Sequence, residues 1–405
     1  MKKDLYTKVI GKITRAWTEL SRHPKKRTEG IDFESINSFS VNSGKKLRKI
    51  RKDLRNNSFH FDALKEVSIK KGENSTREVL IPTTKDRIVS RAILEAIRPK
   101  FKQFNSGCDY SICSIPDSEG VIGVPSAIRK IKESIKDGYI WVFETDIKSF
   151  FDSIPKQEIL KIIERQVNDS RVFELIKQIV KFEIIKKSGA SQIPDEGIAQ
   201  GSSLSPLLAS IYLYNFDEGV KKIGDVKFIR YVDDLVVLCK TEDVAKDTYS
   251  HVEKELKLLG LSIHKLNAIS GSGKIKTRII NSKSAQFEFL GLSFSNGKID
   301  ISRKKKEEFE KDMEETIFQN HHKDDYLSIA KEATRKLEGF IKQYSKSGLY
   351  NTNDSIFSMK VKTQNLLKMY YIKKMKSIFG RDITKGLSKE KEEALYVFLG
   401  ISLKK

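Results

Sequence analysis

The run F-I-R-Y-V-D-D-L-V-V-L at residues 228–238 sets two adjacent carboxylates between two apolar segments. Segments this apolar read as buried strands, so Asp233 and Asp234 fall at the tip of a tight hairpin held against a core. Ionised groups held there need a counter-charge. A third acid, Asp146, ends the alternating run W-V-F-E-T-D at 141–146, which suits a strand lying beside that hairpin. Carboxylates with few other ligand types suit Mg²⁺, which keeps positions open for phosphate oxygens and water. Two such ions can activate a hydroxyl and stabilise a leaving pyrophosphate in an in-line displacement. An Asp-Asp pair alone is more often a solvated turn, so the reading depends on what accompanies it.

The charge of the chain points to a polyanionic partner. Its 76 Lys and Arg exceed its 54 Asp and Glu, a net charge of +22. Residues 1–60 carry 16 positive and 6 negative side chains, and residues 341–380 carry 8 against 1, so basic flanks surround a nearly neutral centre. At about 150 residues per domain, the 405 residues hold two to three domains. No apolar run approaches a membrane span, and the Met-Lys-Lys start leads into a mixed polar helix, so a soluble, cytoplasmic protein with no membrane partner is expected. Cys108, Cys113 and Cys239 form neither a disulfide framework nor a zinc spacing.

The pattern predicts helices near 4–20 and 44–56, separated by a polar stretch around Asn37 to Gly44. Val67 to Pro82 alternates around a Gly-Glu-Asn-Ser turn and predicts a hairpin, followed by a helix from Lys85 to Phe104. Ser106 to Gly123 reads as loop and Pro125 to Lys136 as helix, with a strand at 139–146. One helical stretch at 155–180, an irregular segment to about 196 and an apolar helix at 203–217 precede the strand pair at 226–240. A helix at 243–259, short strands at 286–302 and a charged helical remainder complete the chain, with a boundary near residue 300.

Y-V-D-D in a hydrophobic hairpin follows D-I-K-S-F-F-D-S-I and G-I-A-Q-G-S-S-L-S-P-L-L-A in that order, and together these resemble a reverse transcriptase. R-E-V-L-I-P-T-T-K-D-R-I-V-S-R-A at 77–92 resembles the fingers block of the group II intron and retron lineage, and F-E-F-L-G-L at 287–292 its primer-grip strand. The resemblance implies an α+β right-hand polymerase: a basic N-terminal extension at 1–60, fingers and palm at 61–300, and a helical thumb with the C-terminal region at 301–405. Asp146, Asp233 and Asp234 are implied to be the catalytic acids that hold two Mg²⁺ ions, with Mn²⁺ as the alternative. Arg77 is implied to grip the triphosphate, a task suited to a fixed fork of donors. Gln200 and Gly201 fall where this family packs against the incoming nucleotide, and glycine permits that approach. Phe151 falls where the family places an aromatic beneath the sugar, which favours deoxynucleotides; its neighbour Phe150 reads as core.

One block departs from the lineage pattern. Asn267 occupies the position of a lysine that is a candidate proton donor to pyrophosphate, with His264 and Lys265 close by in sequence. Asp86 and Arg87 read as an ion pair anchoring the fingers helix, and His321 with His322 as a solvated helix cap. Tyr344, Tyr350, Tyr370 and Tyr371 lie in the basic stretch expected to follow a template and primer, although most read as core. The retron thumb signature V-T-G is missing. The resemblance extends to stand-alone bacterial enzymes of the unknown groups, many linked to phage defence, which copy a noncoding RNA of their own locus into complementary DNA from deoxynucleotides. The alternatives are a truncated group II intron enzyme, an RNA-binding scaffold with a vestigial palm, and an RNA-dependent RNA polymerase, against which Phe151 argues. Template identity, primer and oligomeric state leave no mark in the sequence.

Overall fold

A computed structural model describes residues 4–22, 28–70, 76–105, 123–269, 275–319, 326–345, 350–380 and 387–398. Cys108, Cys113, His321, His322 and the predicted loop at 106–122 lie outside the described residues, as does the side chain of Arg77. The first elements are α1 (Leu5–Ser21), α2 (Ile36–Val41), α3 (Ser43–Arg55), β1 (Leu64–Lys70), β2 (Thr76–Ile81) and α4 (Thr84–Ile97), which runs into a 3₁₀ segment, Arg98–Asn105. Next come α5 (Val124–Lys136), β3 (Trp141–Asp146), α6 (Phe150–Ser153), α7 (Lys156–Gln166), α8 (Ser170–Val180), β4 (Ile184–Ile185) and β5 (Ser191–Gln192). Then follow α9 (Ser205–Lys221), β6 (Val226–Tyr231), β7 (Asp234–Cys239), α10 (Glu242–Leu258) and β8 (Arg278–Asn281). The chain continues through β9 (Phe287–Phe289), β10 (Leu292–Ser295), β11 (Lys298–Ile301), α11 (Arg303–Phe318), α12 (Tyr326–Tyr344), α13 (Asn353–Phe379) and α14 (Lys389–Phe398).

These elements form two compact units, Met1–Ala127 with Trp141–Ile279, and Ile128–Ile140 with Ile280–Lys405. In the first unit, α1 buries Val9, Ile13 and Ala16 while packing along α4, and α3 turns Leu47, Ile50 and Leu54 inward beneath a row of Lys and Arg. The basic N-terminal helices therefore share one core with the residues that follow them. One sheet has the order β2-β1-β4-β5 and another the order β6-β7-β3-β8. Helices α9 and α10 pack on the second sheet. Its strands β7 and β3 read as near-continuous apolar runs because Val142, Phe143, Val236, Val237 and Leu238 are all buried. In the second unit, β9, β10 and β11 form an antiparallel meander, and α11, α12 and α13 pack on one another. Tyr344 and Tyr371 are buried in that unit, whereas Tyr350 and Tyr370 are half-buried.

Several elements differ from the sequence expectation, among them β8 and the helix expected to Phe104, which gives way to the 3₁₀ segment after Ile97. The stretch at 155–180 is two helices, because Val167 turns extended and the Asp169 carboxylate caps α8 by accepting from the N–H groups of Arg171 and Val172. The polar stretch at 37–44 contains α2, closed by a reciprocal Ser35–Ser38 capping box. The segment to 196, expected as irregular, contains β4, which pairs in parallel with β1, and β5.

Candidate active site

Strand β3 lies antiparallel to β7 with Asp146 directly opposite Asp234, and β6 pairs with β7 so that Tyr231 also faces Asp234. Val232 and Asp233 are the two turn residues between β6 and β7. Val232 takes φ +63° at the first turn position, where glycine is usual. For a β-branched residue this costs about 1–3 kcal/mol. A buried ion pair holds it: Arg230 grips Asp217 of α9 with its guanidinium fork, Nε to Oδ1 at 2.8 Å, and its Nη1 donates to the Val232 carbonyl at 2.9 Å. The Asp233 carbonyl accepts from Ile147 N–H at 3.0 Å, tying the turn to the chain that leaves Asp146. The three acids expected at one place are thus brought together by strand register and a braced turn.

Crowding by surrounding protein and then the like charges of Asp233 and Asp146 push the Asp234 carboxyl up to about 7, with Lys276 pulling the other way, although Asp234 keeps a face open to solvent. Lys276 Nζ donates to Asp146 Oδ2 at 2.6 Å, and His264 Nε2 stands 3.7 Å from Oδ1. Two contacts place these side chains. The Thr145 and Thr277 hydroxyls meet at 2.7 Å, and Lys148 N–H donates to the Ser262 carbonyl at 2.8 Å beside the Ile147–Ile263 bridge. Asn267, at the expected lysine position, is instead a left-handed turn residue with φ +57°, and Lys265 is exposed. Lys276 is the residue beside the acids that sequence reading missed. Its signal was a lysine nine positions after the expected one at Asn267.

In the turn after β3, Phe150 is buried and Phe151 half-buried, with ring centroids 5.3 Å apart. The G-I-A-Q-G segment runs beside this turn: Gly197 N–H donates to the Ile154 carbonyl at 2.8 Å and Ile198 N–H to the Phe151 carbonyl at 2.7 Å. Gln200 is half-buried just beyond. Gly201 has φ +116°, and a Cβ there would lie 2.7 Å from the Leu80 carbonyl, so glycine is what lets this loop meet β2. Arg77 lies on β2 opposite Ile69. The expected Asp86–Arg87 ion pair is absent among the described residues, because neighbours on a helix face different ways. Arg87 donates to the carbonyls of Pro82 and Thr28, at 3.0 and 3.4 Å, and Asp86 Oδ2 accepts from Asp62 N–H at 3.0 Å.

Among the described residues, no three carboxylate, imidazole or thiolate groups already stand in ion-binding array. The donor set nevertheless suits a hard cation. Asp146 Oδ1 is buried and accepts no hydrogen bond among the described residues, and the charges of Asp233 and Asp146 raise the cost of ionising Asp234.

Residues 69–294 match the profile of the family described as reverse transcriptase (RNA-dependent DNA polymerase). That is more than half of the chain, which therefore belongs to the reverse transcriptase family. Its α+β fold of helices and antiparallel sheets is the one the motifs led one to expect. The chain is 26% identical over 267 residues to the group II intron-encoded protein LtrA of Lactococcus lactis subsp. cremoris, covering 64% of this chain and 40% of the relative. It is 29% identical over 195 residues to protein YkfC of Escherichia coli, covering 47% of this chain and 49% of the relative. The chain thus spans about half or less of the length of these relatives. A telomerase from Candida albicans superposes with a TM-score of 0.46 at 12% identity, over 92% of this chain and 69% of the other. Among the described residues no helix is long and apolar enough to cross a membrane.

Proposed function

We propose that the protein is an RNA-directed DNA polymerase that copies a structured noncoding RNA of its own locus into DNA, in bacterial defence against phage. The observation carrying the polymerase reading is the register that sets Asp146 opposite Asp234 with Asp233 on the braced turn between β6 and β7. In this reading α11–α13 serve as the thumb, and the helices before residue 60 flank the template. Bound at the three acids, two Mg²⁺ ions supply Lewis-acid activation of the primer 3′-hydroxyl and neutralise charge on the triphosphate. The chain supplies the rest. Arg77 holds the triphosphate, Gln200 and Gly201 form the wall beside the nucleotide, and Phe151 closes the space a ribose 2′-hydroxyl would need. The 3′-hydroxyl gives its proton to water as its oxygen bonds to the α-phosphorus and the bond from that phosphorus to the bridging oxygen breaks, and Lys276, released from Asp146, protonates the departing pyrophosphate and is reprotonated from solvent.

The defence setting rests on the resemblance to stand-alone enzymes. Similarity to LtrA favours a second reading, action on a flanking group II intron RNA. Sequencing the nucleic acids that copurify with the protein from its native locus, against Asp233→Ala/Asp234→Ala, tests all of this. One nearby RNA in both samples, with its complementary DNA only in the intact protein, supports a dedicated polymerase. An intron RNA in that place favours the second reading, and RNA without acid-dependent DNA favours a scaffold.

A further inference from the structure

The segment from Thr28 to Ser35 is pinned to the start of α4. The Thr84 hydroxyl donates to the Glu34 carbonyl at 3.0 Å, and Gly30 packs so closely that a Cβ would lie 2.7 Å from Thr83 Cα. Phe33 sits in this rigid segment with φ +56°, a left-handed conformation that glycine or asparagine adopts readily and a bulky residue does not. Its side chain recovers nothing by burial, because Phe33 is 73% exposed. Backbone and side chain are thus both worse for folding than a glycine would be, and what the ring offers is directed outward. Lys65 Nζ stands over the ring, 4.9 Å from its centroid.

The place is also informative. Lys65 pairs across the hairpin with Ile81, and the carbonyl of the preceding residue, Leu80, is the group against which Gly201 packs. The ring therefore stands one strand away from the loop assigned to the incoming nucleotide. Of the charged groups near it, Glu34 is paired with Lys46, whereas Lys65 stands over the ring, and an exposed flat face with a cation beside it suits a ligand that joins a planar ring to an anionic backbone.

We propose that Phe33 is a stacking platform for an unpaired base of the template RNA ahead of the site of synthesis, with Lys65 beside it to meet the adjoining phosphate. This rests on the polymerase reading. Stacking on an aromatic ring accepts any base, as copying requires.

The test uses the whole protein bound to an RNA template annealed to a DNA primer, with 2-aminopurine at successive unpaired template positions. Wild type should quench fluorescence at one overhang position. Phe33→Gly, which suits the backbone and should keep or raise the melting midpoint, should lose that quench and bind the overhang about tenfold more weakly at unchanged salt dependence. Phe33→Trp should restore both. Equal quenching by wild type and Phe33→Gly overturns the platform. Primer extension by wild type on the same duplex separates the two ideas. Extension with a Phe33-independent quench removes the platform alone, whereas a Phe33-dependent quench without extension keeps it and removes the polymerase reading.

Discussion

Lys276 lies 2.6 Å from Asp146 although 130 residues separate them in the chain. Asp146, Asp233 and Asp234 were legible because each ends or interrupts an apolar run; Lys276 arrives through the Thr145–Thr277 hydrogen bond, which no local spacing announces. If Lys276 is the acid for pyrophosphate, Lys276→Gln should lower kcat by about 10²-fold with little change in nucleotide KM. Lys265→Gln, at an exposed position, should alter neither, and single-nucleotide incorporation by rapid quench measures both. Equal slowing by the two variants would mean lost positive charge, not proton transfer. Asp86 poses a different residue-scale question. Burial pushes its carboxyl up to about 7, so between its unfolded value of 3.8 and that point the folded chain holds a proton that the unfolded chain has released. Its contribution to stability therefore falls as pH rises through that window. Asp86→Asn, which keeps an oxygen for Asp62 N–H, should flatten the fall and raise the melting midpoint at neutral pH; an unchanged pH–stability curve refutes the assignment.

At the scale of elements, the hairpin β1–β2 was readable from alternation and β6–β7 from its two apolar runs, but β4 and β5 were not, since strands of two residues have no period to detect, and β8 was not expected either. The inner life of the β6–β7 turn was equally hidden. Nothing in the sequence marks the arginine before Y-V-D-D, yet Arg230 is wholly buried and spends its donors on Asp217 and the Val232 carbonyl. Removing one partner leaves a buried charge, so Arg230→Met should destabilise by about 3–5 kcal/mol. The paired variant Arg230→Met/Asp217→Leu should recover most of that loss, because apolar groups of similar volume replace a buried ion pair well. It leaves Val232 without its brace, and kcat should still fall about tenfold, with more Mg²⁺ needed for half-maximal rate. Thermal melts and metal titrations of both variants decide the matter. Full activity in the stable double variant would make the pair a packing feature only.

At the scale of the whole molecule, the excess charge was visible from composition, but which surface carries it was not. On α3 the apolar face is spent on the core, and Lys45, Arg48, Lys49 and Lys52 are exposed together. Each cation that meets a phosphate releases counterions and steepens the salt dependence of binding by about 0.7–0.9 in log–log slope. Replacing these four by glutamine should therefore flatten the slope for a template–primer duplex by roughly 3. The melting midpoint should hold, since exposed substitutions change stability by about 0.5 kcal/mol or less each. Anisotropy titrations across a salt series give the slope directly. An undiminished slope would move the contact away from α3 and leave the basic stretch at 341–380 as the surface that meets the duplex, because the near-neutral centre of the chain has too little excess charge to produce a steep dependence by itself.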